Sequence, residues 1–230
     1  MAALFDQYRS TYNGTVEDSV SFSNLKHDFF LQAKVSPLAQ LIADRGLTQS
    51  QTGVRALDVG CGVGALHPYV RPLFSTLDGC DVSAESVGRA RDENPGVNYQ
   101  AYDGLTLPYQ SNTFDLAFAV CVVHHVLPEQ WSKFFSEMRR VVRPGGIVCM
   151  IEHNPFNPLT RLAVLRCPFD EDAVLISKRK AGQLLKGAGL KDIEGSHFLL
   201  FPFSNPAVRK AEGWFSGVPL GAQYVCSGRV

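Results

Sequence analysis

The stretch Arg55-Ala-Leu-Asp-Val-Gly-Cys-Gly-Val-Gly64 decides how the rest of the chain is interpreted. Ala56, Leu57 and Val59 form the short apolar run that is typical of a parallel strand covered on both faces. The three glycines that follow allow the backbone to turn tightly and to approach a ligand closely. A strand, a glycine-rich turn and the start of a helix together form an arrangement that binds nucleotides in α/β folds.

The glycine spacing alone leaves two kinds of cofactor open. Gly60, Gly62 and Ala65 fit the pattern G-x-G-x-x-A, which is typical of loops that bind nicotinamide or flavin dinucleotides. Counting from Asp58 gives D-x-G-x-G-x-G, which resembles motif I of the class I S-adenosylmethionine (SAM)-dependent methyltransferases. In that family the acidic residue at the strand end helps to fix the loop and the methionine amino group. The strands that follow distinguish the two interpretations.

Each of the next two predicted strands also ends at an aspartate. Asp81 ends the predicted strand 76–81, about twenty residues beyond the loop, where a carboxylate can accept both ribose hydroxyls of an adenosine. Asp103 follows the predicted strand 97–102, and with Gly104 it suits the edge of adenine, the carboxylate accepting from N6 and a backbone N–H donating to N1. A dinucleotide fold does not require Asp103, so this feature favours the methyltransferase interpretation.

The remaining predicted elements follow the order of the same family, which the chain resembles over residues 32–230. The resemblance implies an α/β, Rossmann-like sheet of seven mostly parallel strands, with the antiparallel last strand inserted between the fifth and the sixth. We expect four further strands: an apolar strand from Phe114, a fifth strand after Arg143-Pro-Gly-Gly146, a sixth over 192–203 and a last over 223–230. We expect helices between them from Trp131 to Val142, between Ser177 and Gly189, and over 205–215.

Two further segments are predicted to cover the cofactor. Residues 1–50 are rich in aromatic side chains and helical signals, including a helix that starts at Ser36-Pro37, and form an N-terminal helical cap in this interpretation. Residues 51–230 form the SAM-binding domain. Within it, the connection over about 153–176 is rich in proline and asparagine and is expected to be a structured loop with about one helical turn. It acts as a lid insertion at the carboxyl ends of the strands.

Composition excludes several classes of partner. The chain has 230 residues, with 22 Lys and Arg against 22 Asp and Glu, and lacks the basic run of a nucleic-acid-binding protein. No apolar run is long enough to span a membrane and the N-terminus lacks a signal-peptide pattern, so we expect a cytoplasmic protein, either monomer or homodimer. The six cysteines contain no C-x-x-C pair, so we interpret them as buried thiols and expect no metal site and no disulfide framework.

The resemblance implies transfer of a methyl group from SAM to an oxygen or nitrogen atom of a small-molecule acceptor, with S-adenosylhomocysteine (SAH) as product. Two alternatives stay open. One is a SAM-binding protein without methyl transfer, acting as a scaffold or as a catalyst of a pericyclic reaction. The other is an NAD(P)-dependent oxidoreductase. Demonstrated methyl transfer to an acceptor would exclude the first of these.

The predicted site residues fall into three groups. His153 is the candidate general base, because it follows the fifth strand beside the methyl-donor end, and Glu152 and Asn154 can set its tautomer. His27, His124 and His125 are competitors for that role, and a structural histidine is the other interpretation of His153. The candidate cofactor residues are Asp58, Gly60, Cys61, Gly62, Gly64, Asp81, Val82, Asp103, Gly104, Ala119 and Val120. The candidate acceptor residues are Tyr8, Tyr12, His27, His124, Asn154 and Arg161.

Overall fold

The computed structural model describes residues 18–19, 21, 26–47, 53–200 and 219–230. Within these ranges seven strands form one sheet in the order β3-β2-β1-β4-β5-β7-β6. Strand β7 is antiparallel to β5 and to β6, and the other paired strands are parallel. The predicted fold class is therefore confirmed. The strands are β1 (Arg55–Val59), β2 (Thr76–Asp81), β3 (Asn98–Ala101), β4 (Phe114–Val120), β5 (Val142–His153), β6 (Lys191–Phe198) and β7 (Gln223–Arg229).

Seven α-helices lie in the described part of the chain, and serine caps begin two of them. The Ser83 hydroxyl accepts a hydrogen bond from the Ser86 N–H, and the Ser177 hydroxyl accepts one from the Lys180 N–H. The helices are α1 (His27–Ala33), α2 (Val35–Asp44), α3 (His67–Val70), α4 (Ala84–Glu93), α5 (Trp131–Val141), α6 (Pro158–Arg166) and α7 (Lys178–Gly187). Short 3₁₀ helices cover Arg71–Leu73, Val123–His125, Pro128–Gln130 and Pro168–Asp170.

Several predicted boundaries differ from the structure, three of them in ways that affect the description of the fold. Helix α2 begins at Val35 and not at a Ser36 cap, because the chain passes from α1 to α2 through the single residue Lys34. Strand β5 already begins at Val142, which pairs with Phe114 ahead of a register shift, so the predicted turn lies within the strand. The connection after β5 contains the nine-residue helix α6, where we expected about one turn. Its N-cap is Asn157, whose side chain accepts from the Thr160 N–H.

The sheet is covered on both faces, because successive residues of its central strands point to opposite sides. Leu57 of β1 and Ala117 of β4 belong to an apolar cluster that includes residues of α5 and α7. Ala56 and Leu116, their neighbours along the chain, belong to a second cluster with residues of α2 and α4. This double coverage explains the continuous apolar sequence of β4, which is buried from Phe114 to Ala119.

Some predictions fall on residues that the structure does not describe. The candidate acceptor residues Tyr8 and Tyr12 and the predicted helix over 205–215 lie outside the described residues. The predicted sixth strand over 192–203 ends earlier than expected, at Phe198, and its last three predicted residues are not described. The six cysteines are all described, and no two of them are joined by a disulfide. No helix in the described part of the chain combines the length and the apolar character needed to cross a membrane.

Candidate active site

A cavity of about 1120 Å³ lies beyond the carboxyl ends of the central strands. The glycine loop after β1, the ends of β2 and β4, and helices α1 and α6 all contribute to its walls. In open parallel sheets ligands bind at this edge. The volume slightly exceeds the range of about 300–1000 Å³ that is usual for a pocket holding one small ligand. The cavity can therefore hold a cofactor together with a second molecule.

The three glycines of the loop, Gly60, Gly62 and Gly64, all have positive φ, and the first two shape the cavity wall. Gly60 has a φ of 81°, and a Cβ atom at this position would lie 2.6 Å from both Cγ atoms of Val122. Gly62 has a φ of 53°, and a Cβ atom here would meet nothing within 4 Å, because the residue faces the open cavity. The Gly62 N–H donates to Oδ2 of Asp81 over 2.8 Å. A side chain at position 60 would clash with Val122, so packing requires glycine there. A side chain at position 62 would extend into the cavity, so an open cavity requires glycine there.

Asp58 lines the cavity, and one of its carboxylate oxygens has no hydrogen-bond partner among the described residues. Its Oδ2 atom lies 2.9 Å from Nε2 of His67, whose other ring nitrogen contacts the Tyr99 hydroxyl. Its Oδ1 atom is buried and has no hydrogen-bond partner among the described residues. Buried carboxylate oxygens nearly always accept a hydrogen bond. This oxygen is therefore suited to accept one from a ligand that carries an amino group.

The two other predicted carboxylates hold the neighbouring loops. Asp81 accepts from the Gly62 and Ser83 N–H groups, and burial, opposed by these bonds, raises its pKa. Asp103 is exposed, and its Oδ1 atom accepts from the Leu105 and Thr106 N–H groups, each over 2.8 Å. These two bonds lower the pKa of Asp103, so it is ionised at neutral pH.

Most of the predicted cofactor residues meet in this cavity, but two do not. Gly64 packs under the loop, where a Cβ atom would lie 2.7 Å from the Tyr99 hydroxyl oxygen. Ala119 is fully buried in the core and contributes nothing to the cavity wall. Direct cofactor contact by Gly64 and Ala119 is therefore not supported by their positions. The predicted cofactor residues that line the cavity are Asp58, Gly60, Cys61, Gly62, Asp81, Val82, Asp103, Gly104 and Val120.

The other end of the cavity is organised by Glu152, which the sequence analysis treated only as a neighbour of His153. This side chain is 1% exposed. Its Oε1 atom accepts from the Val122 and Val123 N–H groups over 3.0 and 2.7 Å, and its Oε2 atom lies 2.6 Å from Nδ1 of His124. Glu152 thereby fixes both the backbone after β4 and the orientation of the His124 ring.

Asp170 comes to the same place from the 3₁₀ helix that follows α6. Its Oδ1 atom lies 3.4 Å from Nε2 of His124 and 3.4 Å from Nε2 of His125. Burial alone would lower the pKa of His124, but the negative charges of Glu152 and Asp170 and their hydrogen bonds hold it well above its usual range. His124 is therefore a cation between two carboxylates when no other ligand is present.

Two further histidines at this end of the cavity are neutral at neutral pH. Burial and then the charge of His124 lower the pKa of His125 and of His153 to about 4. Nδ1 of His153 lies 3.5 Å from the amide nitrogen of Gln223, and its ring centroid lies 5.3 Å from that of His124. A neutral imidazole can accept a proton, so both rings have the protonation state of a general base.

The helices before β1 add a buried amine and another imidazole. Lys34 lies at the junction of α1 and α2 and is 6% exposed, with Nζ donating to the Phe30 carbonyl over 3.0 Å. Burial lowers its pKa, against the favourable charge of Glu152. His27 also lines the cavity, and burial followed by the charge of Lys34 lowers its pKa to about 4.

Some of the candidate acceptor residues line the cavity and others do not. His27, His124 and the candidate base His153 line the cavity. Asn154 is 1% exposed and does not line it, because its amide donates to the carbonyls of Pro219 and Gly221. Arg161 lies on the exposed side of α6, away from the main cavity. Neither position supports contact with an acceptor.

Comparison with known proteins agrees with this geometry. Residues 57–150 match the family model of a methyltransferase domain. An uncharacterized methyltransferase of Synechocystis sp. is 32% identical over 141 residues, which are 60% of this chain and 66% of that protein. The ubiquinone biosynthesis O-methyltransferase of Rhizobium leguminosarum bv. trifolii is 31% identical over 116 residues, which are 49% of this chain and 45% of that protein. The matches thus span about half to two thirds of these relatives.

The fold is similar to that of a SAM-dependent methyltransferase from Thermotoga maritima described as a possible histamine N-methyltransferase. The TM-score is 0.67 at 18% identity, and the similarity covers 100% of this chain and 99% of that one. Residues 57–150 therefore match a methyltransferase domain, and the fold of the chain is that of the class I SAM-dependent methyltransferases. The cofactor of this class is SAM, and related structures contain SAM or SAH. The unsatisfied Oδ1 atom of Asp58 fits the amino group of such a cofactor.

Proposed function

We propose that the chain transfers the methyl group of SAM to an oxygen or nitrogen atom of a small-molecule acceptor. The observation that carries the proposal is the buried, unsatisfied Oδ1 atom of Asp58 at the wall of a cavity whose rim also holds Asp81 and Asp103. In this assignment Asp58 accepts from the methionine amino group, Asp81 accepts from the ribose hydroxyls, and Asp103 with Gly104 binds the adenine edge. Val82 packs against the adenine ring.

SAM supplies a methyl group on a positively charged sulfur, which is a good leaving group. The acceptor lone pair forms the new bond to the methyl carbon while the carbon–sulfur bond breaks and its electron pair returns to sulfur. The protein's task is to align the two molecules and to exclude water. The volume of the cavity beyond the carboxylate end supports an acceptor bound beside the cofactor.

His153 remains our proposed general base. It is neutral at neutral pH, lines the cavity and lies beside Gln223, whose side-chain amide can fix its orientation. A hydroxyl acceptor would pass its proton to the imidazole as the oxygen–carbon bond forms. An amine acceptor that is already neutral would not need this step before methyl transfer.

The proposal includes two segments that close the cavity. In this proposal residues 1–50 act as the cap, and the described part of this segment contributes His27, Phe30 and Lys34 to the wall. The segment of about 153–176 forms the lid, and it contributes Leu159 of α6 and Asp170. A cavity walled in this way can exclude water during methyl transfer.

Binding and turnover test the proposal separately. Calorimetry should show binding of SAM and SAH and none of NADH or NADPH. Incubation with SAM and a panel of paired phenol, alcohol and amine acceptors should give methylated products, detected by mass spectrometry. Preference for a nicotinamide nucleotide would contradict the assignment of the cavity. SAH binding with no methyl transfer to any member of the panel would favour a SAM-binding protein that lacks this activity.

A further inference from the structure

Three potential metal ligands converge at the end of the cavity that lies away from the carboxylates of the glycine loop. They belong to His124, His125 and Asp170, each of which offers one potential ligand atom, and these atoms lie within 4.8 Å of one another. The two histidines follow β4, whereas Asp170 comes from the lid segment. All three residues also line the cavity.

The separation of these atoms suits a shared metal ion. Oδ1 of Asp170 lies 3.4 Å from each of the two Nε2 atoms, which is longer than a usual N–H···O hydrogen bond of about 2.7–3.2 Å. Tetrahedral zinc holds nitrogen and oxygen ligands at about 2.0–2.1 Å, which places neighbouring ligand atoms roughly 3.3 Å apart. A metal ion between these groups would therefore need only small side-chain movements.

Glu152 provides a second and independent observation. Its Oε2 atom lies 2.6 Å from Nδ1 of His124, on the side of the ring opposite to Asp170. Metal-binding histidines usually donate their other ring N–H to a carboxylate in this way, which directs the lone pair of the binding nitrogen towards the metal. Glu152 is itself held by the backbone N–H groups of Val122 and Val123, so the orientation of the ring is rigid.

The kind of donor atom narrows the choice of metal. Two imidazoles and one carboxylate are typical ligands of zinc and of other divalent transition metals, whereas magnesium and calcium prefer oxygen ligands alone. Three protein ligands also leave at least one coordination position open, as in catalytic zinc sites. Because the cluster lines the cavity, that position faces the space left for the acceptor.

We propose that His124, His125 and Asp170 bind a divalent transition-metal ion, zinc in the first instance, with Glu152 as the residue that positions His124. Binding replaces the proton on Nε2 of His124, and this proton is released to solvent. If the chain is the methyltransferase proposed above, the open position would bind an oxygen atom of the acceptor and make its hydroxyl group more acidic. This proposal replaces our sequence-based expectation of no metal site.

Metal binding is tested without SAM or acceptor, so its outcome does not depend on the proposed activity. Untagged protein is treated with a chelator, transferred to metal-free buffer and titrated with Co²⁺ and with Zn²⁺. We expect one ion per chain by calorimetry, and a visible cobalt spectrum typical of four or five ligands that is abolished by one equivalent of Zn²⁺. A failure to bind one ion per chain would overturn the proposal.

Variants locate the site. His125→Asn and Asp170→Asn should each abolish stoichiometric binding, and Glu152→Gln should weaken it about 10–100-fold because it removes the carboxylate that orients His124. His197→Asn is the matched control, since His197 is buried on β6 outside the cluster. Circular dichroism checks the folding of each variant, and His125, with 16% of its side chain exposed, is the mildest change. Unchanged metal affinity in folded His125→Asn would overturn the proposal.

Discussion

Oε2 of Glu152 lies 2.6 Å from Nδ1 of His124, and each of the two side chains is 1% exposed. Burial of two charges costs solvation free energy, which their attraction and the N–H donors of Val122 and Val123 offset. Removal of one partner leaves the other buried and unpaired. The pair therefore links the acceptor end of the cavity to the stability of the whole domain.

We predict that Glu152→Gln lowers the free energy of unfolding by about 3–5 kcal/mol, the usual cost of breaking a buried ion pair. Urea unfolding followed by circular dichroism measures it. The matched control is Glu129→Gln, because Glu129 is exposed. Its unfolding free energy should change by less than about 0.5 kcal/mol. A change below 1 kcal/mol in Glu152→Gln would show that the pair contributes little net stability.

Stability should fall as the pH decreases from about 6.5 to 4. The pKa values of His27, His125 and His153 are about 4 in the folded chain and about 6.5 in an unfolded one. Between these values the unfolded state binds more protons, so the stability from keeping these rings neutral is present above pH 6.5 and is lost towards pH 4.

His124 acts in the opposite sense, because its raised pKa stabilises the folded chain fully below pH 6.5 and loses that contribution as the pH rises through its folded pKa. Burial raises the pKa values of Glu152 and Asp170, but the effect of their charged neighbours is larger, so both pKa values are lowered. The contributions of these two carboxylates to folding stability are therefore retained over this pH range. Urea unfolding at half-unit steps measures the slope, and His153→Gln should reduce it. A flat or inverted profile over this range would contradict the prediction.

Two alanine substitutions in the glycine loop should have different effects. Gly60→Ala places a Cβ atom 2.6 Å from the Val122 side chain in a backbone with positive φ, so it should destabilise the fold by about 2–4 kcal/mol.

Gly62→Ala meets no neighbouring atom and should cost roughly 1–2 kcal/mol for its positive φ. The alanine methyl group would extend into the space assigned to the cofactor. SAH affinity should therefore fall at least about tenfold, which corresponds to a loss of about 1.4 kcal/mol of binding free energy. Thermal unfolding and calorimetry separate the two effects, and unchanged SAH affinity in Gly62→Ala would move the cofactor away from this loop.

A substitution of His153 tests its role as a base. If the acceptor is a hydroxyl, His153→Gln should lower turnover about 10²–10⁴-fold and leave SAH affinity unchanged. The same change at His197, which lies outside the cavity, should affect neither quantity. Because the pKa of His153 is about 4, kcat/KM of the unaltered protein should rise with pH near 4 and then level off. Undiminished turnover in the variant would leave His153 with a structural role.

The residues proposed to bind the cofactor could be placed in the fold from the sequence because they are close to the glycine motif or end a strand. The register of parallel strands then brings Asp58, Asp81 and Asp103 to one edge of the sheet without further information. The antiparallel position of β7 was predicted from the resemblance to the methyltransferase family. Gly64 and Ala119 do not line the cavity, and neither the glycine motif nor the apolar pattern of β4 shows which residues face the cavity and which face the core.

The arrangement around His124 could not be predicted as well, because the residues there meet only through tertiary packing. Asp170 reaches His124 and His125 from the lid segment, and Lys34 reaches the cavity from the junction between two helices. No sequence spacing brings these groups together. The position of Glu152 was one sequence signal, because it is an acidic residue at the end of a buried strand. A buried carboxylate needs a partner. Asn154 was interpreted as an acceptor residue because it is a polar residue at a strand end. A polar residue in such a position can also hold a loop, which Asn154 does through its two hydrogen bonds to backbone carbonyls.

Asp58 should recognise the amino-acid end of the cofactor and not its nucleoside. Its Oδ1 atom is the buried oxygen without a partner, and Asp58→Asn removes the charge that would bind an ammonium group. We expect the variant to lose about 1.5–3 kcal/mol of SAH binding free energy, which calorimetry measures. Methylthioadenosine, which has the same nucleoside but no amino-acid end, should bind the variant and the unaltered protein equally well.

The matched control is Asp78→Asn on the neighbouring strand. Asp78 is also buried, but it lies outside the cavity and contacts Arg55 and Asn98. Its replacement should leave both affinities unchanged. Asp103→Ala should instead weaken SAH and methylthioadenosine together, because Asp103 is assigned to adenine, which both ligands carry. Equal losses for the two ligands in Asp58→Asn would show that Asp58 only supports the loop, through its contact with His67.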